Sequence, residues 1–155
     1  MATYDCLSLD NQVCFPLYAC AKEIVRRYRP YLEPLGLTYT QYIAMMALWE
    51  HRGLSVKELG NLLFLDSGTL TPLLKKLEDK GWIVRTRDPG DERVVTVTVT
   101  DSGMGLRDKA LNIPSEMAAC IDIGAEDAVV LGRILRKMMA TFRRGRSRAL
   151  LSAYY

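Results

Sequence analysis

The stretch Leu70-Thr71-Pro72-Leu73-Leu74-Lys75-Lys76-Leu77-Glu78, followed past Gly81 by Trp82-Ile83-Val84-Arg85-Thr86-Arg87-Asp88-Pro89-Gly90-Asp91-Glu92-Arg93-Val94-Val95-Thr96-Val97-Thr98-Val99-Thr100, decides the architecture. Before Gly81, Leu70, Leu73, Leu74 and Leu77 stand at i, i+3, i+4 and i+7, the spacing of one buried helix face. That leaves Ser67, Thr71, Lys75 and Lys76 facing outward. After Gly81, the β-branched runs 82–87 and 93–100 read as strands. Asp88-Pro89-Gly90-Asp91 between them is turn chemistry. A helix with hydroxyls and lysines on its outer face leads directly into a charged hairpin.

Outward from this core, Ser55-Val56-Lys57-Glu58 has the form of a capping box and opens a helix running to about Phe64. The turn Leu65-Asp66-Ser67 joins it to the helix that follows. Thr38-Tyr39-Thr40-Gln41 is a second capping box, for a helix carrying Tyr42, Ile43, Met45, Met46 and Trp49 and ending at Gly53. Two short helices, a tight turn and a trailing hairpin make a winged helix-turn-helix over 38–100. The predicted fold class is mainly α with a small β-wing.

Both flanks predict helices beyond a minimal winged domain. From Asn11 to Tyr31, Cys14, Leu17, Tyr18, Ala21, Ile24, Val25 and Tyr28 form one apolar stripe, with Asp10 or Asn11 as the cap. Pro16 is tolerated there only in the first turn. Asp101 is the expected cap of a helix with Leu106, Ala110, Leu111 and Ile113 in its interior, interrupted by Pro114. A last helix spans about Ala125 to Ala149, with Val129, Leu131, Ile134, Leu135, Met138 and Phe142. These stripes need a partner, and a second copy of the chain is the simplest one. Residues 11–36 and 102–150 are therefore assigned to dimerisation within a single unit, 1–155.

The chain has 155 residues, a net charge of +3 and 49% hydrophobic residues, enough for one core with arms. Charge placement says more than charge total: Arg133, Arg136, Lys137, Arg143, Arg144, Arg146 and Arg148 follow Asp127 with no acid among them. No run approaches the ~18 apolar residues of a membrane span. The first twelve residues lack a basic and an apolar region, so a cytoplasmic location and no membrane partner are expected. The cysteines Cys6, Cys14, Cys20 and Cys120 show no metal-ligand spacing and His51 is the lone histidine, so neither a zinc site nor a cofactor is expected.

Double-stranded DNA is the partner this pattern predicts. Ser67, Thr69, Thr71 and Lys75 are the candidates for base and phosphate contact, and Lys76 for the backbone. Arg87 and Arg93 are the wing candidates, with Asp91 positioning an arginine. A two-fold dimer would read half-sites about 10 bp apart or somewhat more.

A different chemistry starts at Val13-Cys14-Phe15-Pro16-Leu17-Tyr18. A thiol in the first turn of an apolar helix lies near the positive end of the helix dipole, which favours its reactive thiolate. Tyr28 is 14 positions on, about 21 Å away along one straight helix. Cys14 and Tyr28 can touch only if the helix breaks, or if the first helices of two subunits cross antiparallel.

The wing segment Arg85–Arg93 with Val97-Thr98-Val99-Thr100, and the helix Leu70–Glu78, resemble the MarR family of winged-helix regulators. Val13-Cys14-Phe15, Tyr28-Arg29-Pro30 and Leu35-Gly36-Leu37-Thr38-Tyr39 resemble its organic hydroperoxide resistance subgroup. The resemblance implies a peroxide-released repressor in which Cys14 is the redox-sensing thiol, hydrogen-bonded by Tyr28 and Tyr39, with Tyr18 nearby. It also implies that Cys120 is a resolving cysteine, forming an intersubunit disulfide with Cys14, and that an organic hydroperoxide is the effector. Cys6, Cys20 and the arginine-rich tail match nothing in that pattern. Rival readings are a regulator responding to a small phenolic ligand, a thiol peroxidase using Cys14, and a helical adaptor without a DNA role.

Overall fold

A computed structural model describes residues 4, 7–91 and 93–152, and the side chains among these up to 143. Cys6 lies outside the described residues. The chain divides into two compact units, Met1–Cys120 and Ile121–Tyr155. The first holds nearly all the fold: α1 (Cys14–Leu32), α2 (Tyr39–His51), β1 (Gly53–Ser55), α3 (Val56–Leu63), α4 (Ser67–Asp79), β2 (Ile83–Arg87), β3 (Val95–Val99) and α5 (Asp101–Lys109). Then α6 (Ile113–Ile121) closes it, and the second unit is α7 (Ala125–Ser152).

Local chemistry explains the boundaries. At Thr38 the side chain accepts from the Gln41 amide (3.3 Å) while the Gln41 side chain accepts from the Thr38 amide (3.0 Å). Ser55 and Glu58 repeat the exchange at the start of α3 (3.2 and 2.8 Å). Each box satisfies helix-end amides that have no intrahelical acceptor. Gly36, at φ +67, makes the turn from α1 toward α2, a conformation costly for residues with a Cβ.

The core is one cluster in which Leu70, Leu73, Leu74 and Leu77 of α4 meet Met45 and Leu48 of α2, Leu59 of α3, Ile83 and Val97 of the sheet, and Leu106, Ile113 and Met117. Gly103 lets α5 close on this cluster: a Cβ there would stand 2.1 Å from the Trp82 carbonyl oxygen. The Gly103 carbonyl in turn accepts from the Trp49 indole at 2.9 Å.

The sheet is antiparallel with order β1-β3-β2, so β3 is central. Leu54 and Arg85 both pair with Val97, which is buried, while Arg87 pairs with Val95 at the foot of the wing. The mainly helical winged architecture agrees with the sequence expectation; several boundaries differ. Helix α1 starts at Cys14, preceded by a 3-10 turn at Leu9–Asn11, so neither Asp10 nor Asn11 caps it. Pro16 then falls in the first turn, where its missing N–H costs little. Helix α2 ends at His51, with Arg52 in the left-handed region, because Gly53 is taken up by pairing with Thr98.

Thr100, not Asp101, caps α5, accepting from the Gly103 amide. Asp66 caps α4, leaving Ser67 as its first helical residue. The expected interruption at Pro114 is two helices: α5 stops at Lys109, and α6 begins at Ile113 with Pro114 in its first turn. Leu111 lies in the connection and is exposed instead of interior.

Apolar surface is left open on the two terminal elements. On α1, Phe15 is 45% and Tyr18 64% exposed, with Leu17, Val25 and the preceding Val13 also exposed. Further along the same helix Ile24 and Tyr28 pack on the core and Leu32 is buried. In α7, described by itself, Val129, Leu131, Ile134 and Phe142 are exposed. Among the described residues no helix is long and apolar enough to cross a membrane.

Candidate functional site: a reading face and a thiol-phenol set

One face is built by α4 and the wing. Ser67, Thr69, Thr71, Lys75 and Lys76 are all exposed, because the leucine stripe takes the opposite face of α4. Asp66 organises its start: the carboxylate accepts from the Thr69 amide (2.8 Å) and hydroxyl (3.2 Å). Those bonds, the amide's first, hold the Asp66 carboxyl below its ordinary pKa. The Thr69 hydroxyl proton is thereby engaged, so toward a ligand Thr69 offers its oxygen as an acceptor.

The wing tip is self-braced. Asp88 accepts from the Gly90 amide (2.7 Å) and the Asp91 amide (3.2 Å). Asp91 accepts from the Arg93 amide (3.1 Å), and its carboxylate stands 3.9 Å from Arg93 Nε. Arg87 and Arg93 are exposed, Arg93 at 95% of its side chain. Arg85 differs from both. Its guanidinium folds onto Glu78 at the end of α4 (Nε–Oε2 2.9 Å, Nη2–Oε2 2.5 Å), and its amide donates to Glu78 Oε1 (3.1 Å). The Glu78 carboxyl is held down chiefly by the guanidinium's hydrogen bonds, with the Arg85 amide and charge adding. Arg85 thus ties the wing to α4 while Arg87 and Arg93 are left exposed. A cleft of about 370 Å³ is lined by Lys57, Thr71, Leu74, Arg85, Arg93 and Val95 among others.

The second set is distributed. Tyr28 and Tyr39 meet with ring centroids 4.9 Å apart, and Tyr42 joins at 5.8 Å from Tyr28. Tyr39 is placed there as the first helical residue after the Thr38 cap. Burial raises the pKa of all three phenols, with the neighbouring Tyr39 adding to the rise at Tyr28. They are O–H donors across the neutral range. Cys14, exposed, and Tyr18 lie at the far end of α1. Because α1 is unbroken from Cys14 to Leu32, Cys14 and Tyr28 of one chain stay about 21 Å apart along the axis.

Cys120 is half-buried near the end of α6, and its sulfur lies 3.6 Å from the Tyr31 hydroxyl. Cys20 is a free, exposed thiol on α1. Sequence reading missed Tyr42, Tyr31, Asp66, Asp88 and the Glu78–Arg85 pair. The Asp66-x-x-Thr69 spacing was a legible signal; the others depend on tertiary placement.

A SarA/Rot transcriptional regulator family model matches residues 26–110. The organic hydroperoxide resistance transcriptional regulator of Bacillus subtilis (strain 168) is 43% identical over 138 residues, covering 89% of this chain and 94% of that protein. Among solved structures, reduced AbfR bound to DNA superposes with a TM-score of 0.74 at 28% identity, covering 91% of this chain and 99% of that one. The disulfide-formed state of AbfR, a Staphylococcus epidermidis protein, superposes with a TM-score of 0.63 at 31% identity, covering 84% and 92%.

Proposed function

The chain belongs to the MarR family of winged-helix regulators, of the SarA/Rot type, and from that membership we propose a thiol-switched repressor that leaves its operator when Cys14 is oxidised by an organic hydroperoxide. It is a transcriptional regulator, not an enzyme. A homodimer grips pseudo-palindromic DNA, with Ser67, Thr69, Thr71, Lys75 and Lys76 in the major groove and Arg87 and Arg93 on the wings. Asp91 orients Arg93.

One observation carries the sensor: an unbroken α1 puts Cys14 at an exposed apolar end, remote from the only clustered phenols of its own chain among the described residues. Tyr28 and Tyr39 reach such a thiol when α1 of a second protomer crosses antiparallel, which also covers Phe15, Leu17 and Val25. Their raised pKa values keep both phenols protonated, so each has an O–H to offer the thiolate. Tyr18, exposed one turn from Cys14, borders the same seam.

The Cys14 thiolate attacks the distal peroxide oxygen. The O–O bond breaks, an alkoxide leaves and takes a proton to become the alcohol, and a sulfenic acid remains. Cys120 of the other protomer then closes an intersubunit disulfide, which needs Cα atoms about 4.4–6.8 Å apart. Moving the terminal helices into that range respaces the two reading heads, and DNA affinity falls.

The test is a DNA-binding titration of wild type, Cys14→Ser and Cys120→Ser, each with and without cumene hydroperoxide. Cys14→Ser binds and ignores the oxidant; Cys120→Ser responds but overoxidises. A Cys14→Ser protein still released by peroxide sinks this reading. A second reading draws on the cleft beside Thr71, Arg85 and Arg93, whose mixed apolar and cationic lining suits a small anionic phenol. It predicts release by such a ligand in Cys14→Ser.

A further inference from the structure

Helix α1 grips one residue of α6 twice. Tyr31 Oη and Cys120 Sγ are 3.6 Å apart, and Arg27 Nη1 donates to the Cys120 carbonyl at 2.5 Å. Arg27 and Tyr31 are one helical turn apart, so they present to the same neighbour. The Cys120 carbonyl belongs to the last turn of α6, where carbonyls lack intrahelical donors and the helix dipole is negative. A guanidinium there serves both needs. The Tyr31 phenol is raised first by its hydrogen bond to Cys120 and then by that sulfur's charge, with burial and Glu116 adding. It therefore stays protonated and able to donate to the sulfur.

We propose that Tyr31 is a positioning residue for the resolving step: its hydroxyl holds the Cys120 sulfur, and Arg27 holds the backbone beneath it, so that the sulfur is presented for attack on the partner's oxidised Cys14. This rests on the peroxide reading above. In the step, the Cys120 thiolate attacks the sulfenic sulfur. A sulfur–sulfur bond forms and the sulfenic sulfur–oxygen bond breaks. The departing hydroxide combines with the proton given up by the Cys120 thiol, and water leaves. The hydroperoxide, already reduced to its alcohol, has accepted the two electrons. A sulfur free to swing would close this bond more slowly, since orientation is much of the barrier. A slow closure leaves the sulfenic acid open to a second oxidation.

The experiment uses the full reduced chain with one equivalent of cumene hydroperoxide. The Cys14–Cys120 disulfide is followed by non-reducing mass spectrometry, and the sulfenic acid by dimedone trapping. Tyr31→Phe keeps the ring and removes only the hydroxyl. Disulfide closure is expected to slow roughly fivefold, the worth of one hydrogen bond. Loss of the Cys14 thiol keeps its wild-type rate and the dimedone adduct rises. Arg27→Met, at an exposed position, is expected to slow closure in the same sense by roughly twofold. Closure at the wild-type rate in both variants overturns the proposal. So does a Tyr31→Phe protein in which Cys14 oxidation slows as much as closure, which marks general damage. A wild-type chain that makes sulfenic acid but no disulfide defeats the resolving role of Cys120 and this inference together, and is distinguishable from failure of the variants alone.

Discussion

Arg93→Ala lowers the salt dependence of operator binding by a calculable amount. The Arg93 side chain is 95% exposed, and the one carboxylate beside it among the described residues, Asp91, stands at 3.9 Å, too far for a firm bond. Among the described residues nothing competes strongly for it, so it is available to a phosphate or a narrow minor groove. Each neutralised phosphate contributes about 0.9 to the slope of log K against log salt. In the proposed homodimer two protomers contribute two arginines, so the variant's slope is shallower by about 1.8. Between ~50 and ~200 mM salt the wild type then loses about twelvefold more affinity than the variant. Fluorescence anisotropy on one operator duplex across a salt series measures this. Arg85→Gln is the control: its guanidinium is committed to Glu78, so that variant loses affinity through a loosened wing with its slope unchanged. Equal slopes for wild type and Arg93→Ala, or a change seen for Arg85→Gln instead, refute the assignment.

Three further outcomes follow from the same geometry. Tyr28→Phe and Tyr39→Phe keep their rings but lose the donor; each slows peroxide oxidation of Cys14 roughly fivefold without changing DNA affinity in reductant, read by dimedone trapping and anisotropy. Trp49→Phe removes the indole hydrogen bond to the Gly103 carbonyl and costs about 1 kcal/mol in urea unfolding. The Asp66 carboxyl is depressed in the fold, so its contribution is present above the unfolded value near pH ~4 and is lost as pH falls through the folded one. Asp66→Asn therefore flattens the acid limb of the stability curve.

Periodicity and turn chemistry made most of the fold legible. The leucine stripe of α4, both capping boxes and the β-branched wing strands each state their structure within a few residues, and all are present. Strand β1 was not legible: three residues carry no alternation, and Gly53–Ser55 become a strand only because β3 lies beside them. The start of α1 was misplaced because Asp10 and Asn11 look like caps, yet their segment closes its own 3-10 turn.

Within the candidate site, exposure of the α4 hydroxyls and lysines was readable, since it is the complement of the buried leucines. The difference between Arg85 and Arg93 was not. Both are wing arginines in sequence, and only the approach of Glu78 separates them. Tyr31 was invisible for the same reason: its sulfur partner lies 89 positions away.

The central claim, that the thiol of one protomer is served by the phenols of the other, has a direct measurement. A heterodimer pairing Cys14→Ser with Tyr28→Phe keeps one complete site if the site is shared between protomers. A heterodimer pairing wild type with the double variant Cys14→Ser, Tyr28→Phe keeps none. The remaining Cys14 is expected to form sulfenic acid at the wild-type rate in the first heterodimer and roughly fivefold more slowly in the second. The reverse order, or equal rates, would contradict it.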